Sequence, residues 1–260
     1  MAANNASTLV VPASAMRRRG LPARAAFGWL AMGWRDLLTH PMPSLVYGLG
    51  VFALSIAIVW SLFRLELDYV LFPALAGFMV VGPFIAIGLY EKSRTIERKE
   101  PVSLGRMLFV PAASGAQVWF TGAILCLLML GWMRAATIIY ALFFGLRPFP
   151  GLDHIAPMLF TTSYGWAMLA VGSAVGALFA AFSFAVSVFA VPRLLDESTD
   201  AFTAMGTSIS MVWNNRPVMI AWGAIVLTLF LLSVATGLLG LIVVFPLLGH
   251  ATWHSYRAMK

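Results

Sequence analysis

Val218-Met-Ile-Ala-Trp-Gly-Ala-Ile-Val-Leu-Thr-Leu-Phe-Leu-Leu-Ser-Val-Ala-Thr236-Gly237-Leu-Leu-Gly240-Leu-Ile-Val-Val-Phe-Pro246-Leu-Leu248 is apolar almost throughout. As one helix it would be roughly 46 Å long, at a rise of about 1.5 Å per residue. A bilayer's hydrocarbon core is about 30 Å thick. Thr236-Gly237 and Gly240 offer a place to turn, since glycine tolerates the left-handed backbone that ends helices. The stretch therefore reads as two crossings, Val218–Ala235 and Leu238–Tyr256.

Working outward, four more apolar runs stand out: Pro43–Leu62, Val70–Tyr90, Gln117–Gly145 and Gly165–Val191. The third is too long for an ordinary crossing, and Arg134 interrupts it. Composition agrees with a membrane protein. Of 260 residues, 61% are hydrophobic and 10% charged, against about 25% charged in soluble domains. Mean hydropathy is +0.89. The net charge of +7 would fit nucleic acid if the basic residues formed one face; they flank the apolar runs instead, as in the positive-inside pattern. Cys126 is the single cysteine, so cysteine usage does not identify a redox compartment.

Counting charge tests the six-span reading. With six spans, the N-terminal tail, loops 91–116 and 192–217 and the C-terminus share one side and carry 14 of the 17 Lys and Arg residues. Five spans would move Arg257 and Lys260 across and weaken the asymmetry. Both termini are therefore expected in the cytoplasm. Residues 1–25, with Arg17-Arg18-Arg19 and Arg24, read as a disordered basic cytoplasmic tail, since no apolar segment follows closely enough for a signal peptide.

Gly77–Arg94 aligns without gaps on Gly240–Arg257, with five of eighteen columns identical, including Pro83 on Pro246 and Arg94 on Arg257. Amphipathic segments at Ala26–Thr39, Ser103–Val110 and Asp200–Trp213 precede the apolar pairs. In the first, Phe27, Leu30, Trp34 and Leu37 recur at helical spacing, as in a helix lying in the interface. Ser103, Ser198 and Thr199 are candidate N-caps. The fold class expected is an all-α membrane protein. Its six transmembrane helices form three hairpins, each preceded by an amphipathic interfacial helix, in one domain over 26–257 with units of about 26–94, 100–195 and 200–257.

Several motifs resemble one family. Gly33-Trp34-Arg35-Asp36-Leu37, Val81-Gly82-Pro83, Gly88-Leu89-Tyr90-Glu91 and the run from Gly237 to Arg257 are similar to the predicted bacterial integral membrane proteins grouped as domain of unknown function 2189. The resemblance spans about residues 26–257, most specifically at its C-terminal motif. It implies a bacterial inner-membrane location and brings no activity with it.

His250 and His254, at i and i+4, share a helical face as a metal or haem site would require. The repeat places Glu91 opposite His254, and Asp196 and Glu197 end the fourth span, so an acidic and histidine ring at the cytoplasmic mouth is conceivable. An interfacial belt of amphipathic rings is the plainer reading. Arg134 reads as an intramembrane functional residue or as a side chain snorkelling to the outer headgroups. Gly172, Gly176 and Ala180 form a small-residue stripe expected to pack against a helix. Pro83 and Pro246 should kink their helices.

No phosphate loop, nucleophile elbow or paired intramembrane carboxylate is present. The expectation is a non-enzymatic protein that binds, scaffolds or assembles a membrane complex, without a cofactor. The alternatives are a small transporter or channel, or a haem- or metal-linked accessory factor of a respiratory complex. Expected partners are the lipid bilayer and a membrane protein or second copy of the chain, not nucleic acid.

Overall fold

The computed structural model describes residues 19–145 and 151–260. The expected tail thus lies mostly outside the described residues. The described residues form helices and no strand. In chain order these are α1 (Ala25–Leu38), α2 (Pro41–Arg64), α3 (Leu71–Ile85), α4 (Ile87–Glu97), α5 (Leu104–Leu108), α6 (Ala116–Phe144), α7 (Leu152–Thr161), α8 (Ser163–Ser187), α9 (Ala190–Asp196), α10 (Ala201–Asn214), α11 (Arg216–Ala235) and α12 (Leu241–Met259). A short 3-10 turn, Asp68–Val70, precedes α3. The helix α7 was not anticipated.

Five helical segments are long and apolar enough to cross a membrane: 41–64, 68–97, 116–144, 163–196 and 216–235. In none is more than 39% of the most apolar window buried within the protein. Leu54, Trp60, Phe72, Leu127 and Leu178 stand exposed along them, which fits lipid as the surrounding solvent. The protein is accordingly an all-helical membrane protein. The expected sixth crossing forms as a helix, α12, yet it is not among the five. Its second half carries His250, Thr252, His254, Ser255 and Arg257 and packs mostly into protein.

The turn that divides the last apolar stretch forms where glycine permits it. Gly237 has φ +63 and Leu238 φ +69. The Leu238 N–H donates to Ser233 O at 2.8 Å and the Gly237 N–H to Val234 O at 3.0 Å, the bond pair of a Schellman cap. Gly240 then returns against Ser233, where an added Cβ would lie 2.8 Å from its Cα.

Prolines act unequally. Beyond Pro83 the helix breaks at Ala86, and the Leu89 N–H turns to Ala86 O. The carbonyl of Ile85 is left without its helical donor, and the Tyr47 hydroxyl donates to it at 2.5 Å. A second break, at Val188–Phe189 before Pro192, is closed by one hydroxyl: Ser208 donates to Ala185 O at 2.7 Å and accepts from the Phe189 N–H at 3.1 Å. Helix α12 runs continuously through Pro246.

The amphipathic segments form α1, α5 and α10. Ser103 caps α5 as expected, accepting from the Arg106 N–H. Asp200, rather than Ser198 or Thr199, caps α10 by accepting from the Thr203 N–H. On α1 the expected stripe splits: Phe27 and Trp34 are exposed while Leu37 is buried with Ala26, Trp29, Gly33 and Asp36. A helix packed on one side and facing lipid on the other shows two apolar faces, and spacing alone merged them.

The loops rich in Lys and Arg gather at one end of the bundle, the basic end, and the best-buried core lies there. Leu89, Tyr90, Phe189, Leu194, Leu195, Trp253 and Tyr256 are almost inaccessible. Helix α12 is central to it, packed by α1, α2 and α4 at three glycine-backed contacts. A Cβ on Gly33 would lie 2.6 Å from Ala251 N, one on Gly48 2.2 Å from Ile242 O, and one on Gly249 2.7 Å from Leu89 Cδ1. Ile242 O is the carbonyl that Pro246 leaves without a helical donor, and Gly48 lets α2 close over it. The pairs Leu89 with Gly249, Ser93 with His250 and Glu97 with Trp253 advance together, so α4 and α12 run in the same direction. Arg19 Nε donates to Met259 O at 3.3 Å, which brings the two ends of the described chain together.

Candidate functional site

The two histidines meet different partners. His250 is fully buried, with Nε2 2.9 Å from Ser44 Oγ and Nδ1 2.9 Å from Ser93 Oγ. Ser44 accepts from the Lys92 ammonium, so its own hydroxyl hydrogen is left for Nε2 of a neutral imidazole, whose Nδ1–H donates to Ser93. Lys92 Nζ donates to Ser44 Oγ at 2.7 Å, Asp36 O at 3.0 Å and His40 O at 2.9 Å. His254 Nε2 lies 2.8 Å from Asp36 Oδ2. A single chain of hydrogen bonds thus links α1, α2, α4 and α12.

Its local effect is to hold the corner between α1 and α2. His40, before Pro41, sits at φ +53, a strained region for a non-glycine residue. Lys92 clamps carbonyls on either side of that corner. Burial would raise the Asp36 pKa, but hydrogen bonds from His254 and Ser93 outweigh it and hold the carboxyl below its ordinary value of 3.8.

Glu91 belongs to another network. Fully buried, it pairs with Arg94 at 2.6 Å and with Arg106 of α5 at 2.6 Å. Arg94 also donates to Leu195 O and Pro111 O, and Arg106 to Glu100. Asp196 and Glu197 form a third cluster, with Lys260 2.6 and 2.8 Å away, Arg193 on Glu197 and the Tyr256 hydroxyl on Asp196. The acidic residues and histidines envisaged as one ring are thus divided among three networks. Among the described residues no group of three or more His, Cys, Asp or Glu side chains could hold a metal. His250 and His254 act as ties between helices.

A different feature carries the binding geometry. A cavity of 310 Å³ lies among α3, α4, α6, α8, α11 and α12, within the roughly 300–1,000 Å³ range of small-molecule sites. Its wall is apolar, with Phe78, Met79, Phe179, Val226 and Phe245 prominent and no charged residue. Gly176 and Ala180 line it, while nothing approaches the position of a Cβ on Gly172. The stripe packs a helix as expected at Gly176, where Trp132 of α6 lies 3.0 Å from the Cβ position, and elsewhere borders open space. Pro83 and Ala86 at the α3 break contribute to the wall. Small residues on α8 and the proline were its signals in the sequence. They do not reveal that α8 and α11 leave a gap.

Arg134 lies exposed on α6.

A family described as predicted integral membrane protein, DUF2189, has a model that matches the segment from α3 to α9. Residues 71–196 match the DUF2189 family. The match contains Val81-Gly82-Pro83 and Gly88-Leu89-Tyr90-Glu91. It excludes Gly33–Leu37 and the C-terminal motif, so the resemblance is narrower than the motifs implied. The DUF2189 segment supplies the broken second span, Glu91 and 17 of the 27 residues of the cavity wall. No curated protein and no solved structure matches the chain.

Proposed function

We propose that the protein is a non-enzymatic binding component of the bacterial inner membrane that holds an apolar molecule drawn from the bilayer. The cavity carries this reading. It is uncharged, of ligand size, and set between helices that lipid surrounds. The ionisable groups that could do chemistry nearby are taken up in ties between helices, as with Glu91 and Lys92. Purified in a maltoside detergent, the protein is expected to retain a stoichiometric apolar molecule, extractable by organic solvent and identifiable by mass spectrometry. Ala180→Phe, which fills the wall, should abolish retention without changing the oligomeric state. Protein that carries nothing and takes up no hydrocarbon probe would overturn the reading.

The topology proposed with it has six crossings, α12 being the sixth, and both termini in the cytoplasm. The tight α11–α12 turn and the common direction of α4 and α12 support it. Reporter fusions at Lys260 and at position 153 should give opposite readings, and a periplasmic Lys260 would refute the arrangement. A carrier is the second reading, favoured by the helix break at Ala86 in the cavity wall.

A further inference from the structure

We infer that the occupant carries a neutral carbonyl, and that this group docks on the indole N–H of Trp222. The inference rests on reading the cavity as a binding site. Trp222 is fully buried and lines the cavity, and its Nε1 has no hydrogen-bond partner. Three other indoles are paired: Trp132 with Pro73 O at 3.0 Å, Trp166 with Phe160 O at 3.0 Å and Trp253 with Glu97 at 3.2 Å. An unpaired buried donor costs about 1–3 kcal/mol, so Trp222 is the position at which an arriving acceptor gains most. Trp29 stands nearly perpendicular to it, with centroids 6.0 Å apart, and an aromatic face is a weak acceptor at best.

The rest of the wall narrows the class of acceptor. Hydroxyls of Ser183, Ser187 and Thr252 line the cavity, but each donates to a carbonyl of its own helix, at 2.6, 2.7 and 2.7 Å. With no cation in the wall, a phosphate or carboxylate would enter unpaired, at a prohibitive desolvation cost. A polyol would bring several donors to a wall that is almost wholly apolar. What fits is a hydrocarbon body whose few polar atoms are neutral and mainly acceptors. Membrane quinones and acyl esters of glycerol are both of this kind.

The test uses the full chain in an alkyl maltoside, a detergent without carbonyls, with indole nitrogens labelled with 15N. Trp222→Phe assigns the resonance by removing it. Decylbenzoquinone, dioctanoylglycerol and decylbenzene are the probes. The Trp222 indole proton is expected to shift downfield with a carbonyl probe and not with decylbenzene. Trp222→Phe should weaken the carbonyl probe roughly three- to tenfold, the worth of one net hydrogen bond, and leave decylbenzene unchanged. A second measurement needs no variant: the 13C-labelled carbonyl stretch of the bound probe should fall in frequency on unaltered protein. Response to the quinone alone, or to the glyceride alone, names the source and supports the inference. All three probes binding with no indole or carbonyl response would overturn it while leaving the cavity a binding site. Failure of all three to bind would overturn the reading beneath it.

Discussion

Glu91→Gln is expected to destabilise the protein by about 3–5 kcal/mol, the usual range when one partner of a buried ion pair is removed. The carboxylate is wholly buried between Arg94, itself 6% exposed, and Arg106, 32% exposed. Without it the Arg94 guanidinium loses its only anionic partner among the described residues and stays sealed against Leu195 O and Pro111 O. Thermal unfolding in detergent should start roughly 10 °C lower, taking about 2–4 °C per kcal/mol for a chain of this size. Arg106→Gln should cost clearly less, because water screens the more exposed partner. Equal losses from the two variants would mean that Glu91 matters as an anchor for α5 rather than as the countercharge of Arg94.

Gly48→Ala is the second change with a large expected effect. One methyl group would fall 2.2 Å from Ile242 O and 2.9 Å from Pro246 Cγ, on a helix that cannot retreat without loosening the whole α2–α12 contact. Overpacking of this kind costs about 1–3 kcal/mol when side chains can yield. Here the obstacle is backbone, so the upper end or beyond is expected. Gly28→Ala and Gly50→Ala provide the comparison. Both glycines are helical with nothing within 4 Å of the added carbon, so each should be neutral or gain up to about 1 kcal/mol of helix propensity. If all three variants unfolded alike, close approach to α12 would not be what Gly48 provides.

The span edges were legible because proline and glycine punctuate the apolar runs. The third apolar run reaches Gly145, where its helix ends at φ +67; the last turn was placed at Thr236-Gly237 and lies there. What could not be read was partnership. Lys92 was counted as one charge of a basic loop, yet its ammonium is enclosed by α1 and α2. His250 and His254 do share a side of α12, but Ser44 lies 206 residues from one and Asp36 218 from the other. No local pattern in the chain announces such pairs. The cavity escaped for a related reason: Gly176 and Ala180 look the same in sequence whether a helix presses on them or stands away. Trp222 looked like one more apolar residue, since its unpaired nitrogen becomes visible only when its surroundings are complete.

The central place of α12 also bears on how the protein is made. Helices α1 and α2 leave the ribosome first, yet Gly33 awaits Ala251, Gly48 awaits Ile242 and Asp36 awaits His254. Contacts of such sequence separation form late. The early helices must therefore persist in the bilayer with Asp36 lacking His254, and Ser44 and Ser93 lacking His250, until α12 has been synthesised. A nascent protein stalled short of α12 would display an open, charged seam to whatever insertion or quality-control machinery surrounds it.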